Sequence, residues 1–133
     1  MALKVELKPG ERFILGDSVI TNDKQRTRLF IEGNAPILRE KDILRPEHAD
    51  SPSKKVYLII QMMYLSSKPE EHHDMYFKLI NELVAAAPSM TIHVAEINNH
   101  ILTDSYYKAL KTAQAMIAYE EKLLDNAKRS ASL

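Results

Sequence analysis

Three arginines offer this chain its clearest chemistry, and that chemistry is recognition. Arg39 ends the short apolar run Ile37-Leu38, just before Glu40 and Asp42. A guanidinium presents planar paired donors, which suit a phosphate or a guanine edge. The competing reading is a surface salt bridge to Glu40 or Asp42, since isolated arginines usually stay solvated. Arg26 and Arg28 stand two apart in an alternating stretch, with Phe30 next. Cations interleaved with an aromatic can hold phosphates while a base stacks. Aromatic rings are more often buried, so the expected arrangement is a hydrated sheet face with Phe30 packed under the helices.

Other clusters carry less. His72-His73-Asp74 are neighbours on a helix and point in different directions, so they rarely share one ion. His93, Glu96 and His100 fall on one helical face, but no further ligands gather near them in sequence, and the expectation is no metal and no cofactor. The six tyrosines have no base arranged beside them. No glycine-rich phosphate loop, nucleophile elbow or paired-carboxylate signature is present, so the chain reads as a non-enzyme. A metal-dependent hydrolase is the weakest reading. Met62, Met63, Met75, Met90 and Met116 lie in or near the second half. They either fill a helical core or line a groove for a partner helix.

The elements that must position these residues follow from glycine and apolar spacing. All three glycines, Gly10, Gly16 and Gly33, fall in the first third, and each closes a short apolar or alternating run. Strands are expected at Leu3–Leu7, Phe13–Leu15, Ser18–Thr21, residues 26–32 and residues 37–39, with a hairpin turn beginning at Asn22-Asp23. In the fourth strand Thr27, Leu29 and Ile31 share one side, and Arg26, Arg28 and Phe30 the other. Residues 42–50 form a polar connector. Helical spacing then predicts helices from Ser51-Pro52 to Ser66, from Pro69 through Leu83, from about Ser89 to Ile101, and from Ser105 to about Lys128. Met75, Tyr76, Leu79, Ile80 and Leu83 make the second stripe. Leu110, Ala113, Ile117 and Leu124 make the fourth, capped by Thr103-Asp104. The fold class is therefore α+β: a small antiparallel β module over residues 1–45, a bundle of about four helices over 51–128, and a frayed tail at 129–133.

At 133 residues and 45% hydrophobic composition the chain can bury a real core. Eighteen basic and eighteen acidic groups balance to zero net charge, which a non-specific nucleic-acid binder would not show. Any RNA contact must come from a local patch or from a homo-oligomer. There are no cysteines, so disulfides and thiolate chemistry are excluded. The N-terminal residues alternate and do not form a signal peptide, and no segment reaches the roughly 20 apolar residues of a membrane span. A cytoplasmic protein without a membrane partner is expected.

Several strings in order carry a resemblance. Leu7-Lys8-Pro9-Gly10-Glu11, Arg26-Thr27-Arg28 and the run Ile31-Glu32-Gly33-Asn34-Ala35-Pro36-Ile37-Leu38-Arg39-Glu40 resemble the FlbT family, small regulators of flagellin synthesis in flagellated bacteria. Glu71-His72-His73, Ala95-Glu96-Ile97-Asn98 and Tyr107-Lys108-Ala109-Leu110-Lys111 extend the likeness through the second half. The resemblance implies action on the 5′ untranslated leader of flagellin mRNA, affecting its translation or decay, alongside a second small protein, FlaF. The first forty-odd residues also resemble the carbon storage regulator CsrA, a dimeric β protein that binds mRNA leaders. The matching positions are Gly10-Glu11, Gly16-Asp17, Gly33-Asn34-Ala35-Pro36 and Arg39-Glu40. Carried over by position, that likeness implies RNA contacts at Arg39 and along Lys4 to Leu7. The last strand is shorter here than in that relative, and Glu6 stands where the relative is more basic. The expected RNA-binding residues are thus Arg39, Lys4, Arg26 and Arg28. The alternative is an adaptor whose helical half binds flagellin or FlaF and affects RNA indirectly.

Overall fold

The computed structural model describes residues 2–132, and the chain divides into two units between Ile43 and Leu44. The first unit holds five strands: β1 (Leu3–Leu7), β2 (Arg12–Leu15), β3 (Ser18–Thr21), β4 (Thr27–Ile31) and β5 (Ile37–Arg39). They form two antiparallel sheets, a ribbon β1-β4 and a three-stranded sheet ordered β3-β2-β5. Alternation decides the inward faces. Val5, Leu7 and Phe13 are buried, with Leu15, Ile20, Leu29, Ile31 and Ile37 packed against them. Fully burying each such side chain stabilises by about 1.5–3 kcal/mol, which is what holds so small a unit together.

β2 and β3 join through Gly16-Asp17, two residues between the paired Leu15 and Ser18. Gly16 has φ of 64°, the left-handed region that a two-residue hairpin demands and that glycine enters without strain. The hairpin expected at Asn22-Asp23 does not form. β4 pairs with β1, not with β3. The Asn22 side-chain amide instead donates to the carbonyls of Leu7 (3.3 Å), Lys8 (2.8 Å) and Gln25 (2.8 Å), tying the link to the end of β1.

The second unit contains α1 (Pro52–Leu65), α2 (His73–Ala86), α3 (Thr91–Leu102) and α4 (Tyr106–Ser132), with a short 3₁₀ turn before each of the first three. Ser51 caps α1, its Oγ accepting from Lys54 N at 3.3 Å, and Pro52 occupies the first turn. The architecture is thus α+β, a small antiparallel β unit and then four helices. Among the described residues no helix is long and apolar enough to cross a membrane.

Several details differ from the sequence reading. Thr103 and Asp104 end α3 rather than cap α4. Thr103 Oγ1 donates to the carbonyls of Asn99 and His100, and Asp104 takes φ of 55°, which aspartate tolerates. The α4 helix then begins after Ser105, whose carbonyl accepts from Ala109 N at 3.0 Å. Met75 and Leu124 are 50% and 52% exposed, so neither belongs to its stripe. The α4 face runs through Leu110, Ala113 and Met116 to Glu120. Residues 129–132 continue the helix, and Leu133 lies outside the described residues.

Glu120 is only 6% exposed. Its Oε2 accepts from Ser53 N at 2.9 Å, so a carboxylate from α4 satisfies an otherwise orphaned donor in the first turn of α1. Replacing Glu120→Ala leaves that N–H buried and unpaired. The expected cost is about 1–3 kcal/mol in urea unfolding, with Glu120→Gln costing less because it keeps an acceptor. An alanine variant as stable as the parent would show that the contact does not support the helix.

Candidate nucleic-acid interface

The register of the ribbon sets the site. Leu3, Val5 and Leu7 face Ile31, Leu29 and Thr27, while Lys4 faces Phe30 and Glu6 faces Arg28. Because Val5 and Leu7 point inward, Lys4, Glu6, Arg28 and Phe30 share the outward face. Phe30 is 66% exposed. Within its own unit nothing covers the ring. Parity places it with the cations, and its cross-strand neighbour is Lys4.

Glu6 gathers the cations. Its Oε1 lies 3.5 Å from Lys4 Nζ and 3.3 Å from Arg28 Nη2. The Lys4 charge and hydrogen bond, followed by Arg28, hold the Glu6 carboxyl below its ordinary value of 4.5. All three side chains are at least half exposed, and such pairs contribute little to stability. They keep their positions weakly and can exchange partners. Arg26 stands just before β4 and, with Glu6, Thr27 and Arg28, lines an open depression of about 550 Å³. The arrangement offers solvated cations for phosphates and an open ring for stacking.

Arg39 sits elsewhere in the unit. It pairs across from Phe13 on β2, and its Nη2 donates to the Glu6 carbonyl at 2.8 Å. It therefore joins the three-stranded sheet to the ribbon through the backbone of β1. Glu40, one of the carboxylates considered as its ion-pair partner, accepts from Arg12 N at 3.5 Å. So Lys4, Arg26 and Arg28 come together on the ribbon, and Arg39 reaches the same strand through the Glu6 carbonyl. Glu6 was missed as an organiser of the site. The signal was available in the matching alternations Lys4-Val5-Glu6 and Arg28-Leu29-Phe30.

The helical unit places its histidines apart. The His93 ring packs on Tyr119 with centroids 5.2 Å apart, and His100 Nε2 lies 3.8 Å from Glu96 Oε1. His73 meets Phe77 edge-on. Among the described residues there is no group of three or more His, Asp or Glu that could hold a metal ion. Met63, Met90 and Met116 are core, while Met62 and Met75 are exposed.

Carbon-detected NMR titration of Glu6 checks the cluster. Its midpoint should lie below the ordinary carboxylate value and rise toward it in high salt, which screens exposed charges. Because the folded pKa is lowered, the ionised pair adds to stability above the unfolded pKa. That contribution is lost as pH falls through the folded value. A midpoint unaffected by Lys4→Ala would disprove the assigned cause.

The family model described as Flagellar protein FlbT matches residues 3–124 of this chain. The chain is 57% identical over 124 residues to the probable flagellum biosynthesis repressor protein FlbT 1 of Bradyrhizobium diazoefficiens, covering 92% of this chain and 85% of that protein. It is 49% identical over 124 residues to the probable flagellum biosynthesis repressor protein FlbT of Rhodopseudomonas palustris, covering 93% and 98%. It is 34% identical over 127 residues to the flagellum biosynthesis repressor protein FlbT of Caulobacter vibrioides, covering 93% and 90%. No solved structure matches the chain.

Proposed function

This chain belongs to the FlbT family, and from that premise we propose that it regulates flagellum biosynthesis after transcription, by holding the 5′ untranslated leader of flagellin mRNA on the outward face of β1 and β4. The relatives are named as repressors of flagellum biosynthesis, which supports a regulatory, non-catalytic role in the cytoplasm, where the message is read. The observation that carries the RNA reading is the grouping of Lys4, Arg28 and the exposed Phe30 on one face, with Arg26 beside them. Zero net charge removes long-range attraction to any polyanion, so recognition rests on this patch. Phosphate oxygens would take the place of the Glu6 carboxylate on Lys4 and Arg28, and an unpaired base would stack on Phe30. Arg39 spends one donor on the Glu6 carbonyl and keeps others for a phosphate or a base edge.

A second reading has its own observation. Met62, Met75, Phe77, Ile92, Leu102 and Tyr107 are exposed large apolar residues of the helical unit. They suit an adaptor that binds flagellin or FlaF and affects the message indirectly.

A gel-shift titration against the flagellin leader separates the two, run at low and physiological salt with a scrambled RNA as control. On the RNA reading, Lys4→Ala, Arg26→Ala and Arg28→Ala each weaken binding and each lower the salt slope by about one. Phe30→Ala costs about 1–3 kcal/mol with little change in slope. Arg39→Ala also lowers the stability of the β unit. Leader binding equal to the scrambled control, or unchanged in a folded triple variant, would transfer the assignment to the adaptor reading.

A further inference from the structure

We propose that β4 is the seam of a two-fold dimer, in which a second copy of this chain adds its own β4 antiparallel to the first. Among the described residues β4 pairs only with β1. Alternate residues of β4 thus direct N–H and C=O groups away from β1, an open template for another strand. The other edges are less suitable, and β5 offers only three residues. The outer side of β1 is engaged by Arg39 at the Glu6 carbonyl. β3, paired with itself about Ile20, would set Asp17 against the partner's Asp23.

The sequence of β4 is complementary to itself. Centred on Leu29, antiparallel pairing sets Arg26 opposite the partner's Glu32, Thr27 opposite the partner's Ile31, and Arg28 opposite the partner's Phe30. Among the described residues of one copy neither Arg26 nor Glu32 is ion-paired, so each can meet the opposite charge. Residues directly opposite lie on the same side of a sheet. The partner's Arg28 therefore comes beside the 66% exposed Phe30, where a guanidinium is attracted to the ring. The inward side stays apolar on both copies through Leu29 and Ile31. The result is a continuous four-stranded sheet, β1-β4-β4-β1, with an isologous interface. The inference uses only β4 and stands independently of RNA binding.

Sedimentation velocity on the full chain over a range of concentrations tests it, with charge reversals at the two exposed ends. The parent should dimerise reversibly. Arg26→Glu alone and Glu32→Arg alone each place like charges at both ends of the seam, and should weaken the dimer by about ten- to a hundredfold. Mixing the two single variants should restore association, because every end pair is then complementary. The double variant should also recover. Amide exchange in β4 should slow as concentration rises. A parent that stays monomeric, or a dimer indifferent to the reversals and to mixing, overturns the proposal. Unchanged β4 exchange on dimerisation would do the same.

Discussion

The register between β1 and β4 is the constraint on which the outward surface of the β unit depends. With Val5 opposite Leu29, the apolar residues of both strands point to the core, and Lys4, Glu6, Arg28 and Phe30 point out. A slip of one residue would bury the charges and expose the core. Two interactions hold this alignment apart from the ladder itself. The Asn22 amide binds the carbonyls at the end of β1, and Arg39 binds the Glu6 carbonyl from β5. Glu6 therefore has two separate duties: its backbone joins the sheets, and its side chain collects the cations.

Two glutamates of this chain show how burial sets the use of one chemical group. Glu120 is nearly buried and accepts from a backbone N–H at the start of α1. Removing it would strand a desolvated donor, so its role is structural. Glu6 is exposed, and its pairs with Lys4 and Arg28 stay weak in water. A weak pair orders the cations without locking them, which is what the proposed exchange of a carboxylate for a phosphate would need. In a chain of zero net charge, such local ordering is the available source of electrostatic selectivity.

The strands and helices were largely legible because each has a clean period. Alternation marked β1 and β4, short apolar runs and turn residues marked the other strands, and proline with serine marked the start of α1. What was not legible depended on choices between equal local patterns. Arg26, Arg28 and Phe30 against Thr27, Leu29 and Ile31 is an alternation that does not name its inward side. The partner strand decides it, and β4 chose β1 rather than its neighbour in sequence. Thr103-Asp104 fits both the end of one helix and the start of the next, and the left-handed Asp104 settles it as an ending. Glu120 was invisible as a core residue, because its burial follows from a donor 67 positions away in α1. Arg39 was visible as a guanidinium, but its backbone partner on β1 belongs to tertiary structure.

Phe30 brings these threads to one point. Leaving such a ring in water forgoes about 1.5–3 kcal/mol of burial, and nothing in its own copy of the β unit recovers it. Two partners of different geometry can do so. A base approaches from the outward face of the sheet, while a second β4 approaches along its edge. Edge pairing places Arg28 of the partner subunit beside the ring and leaves the outward direction open. The two uses are therefore compatible, and the dimer would set two copies of the Lys4–Arg28 cluster on one continuous sheet.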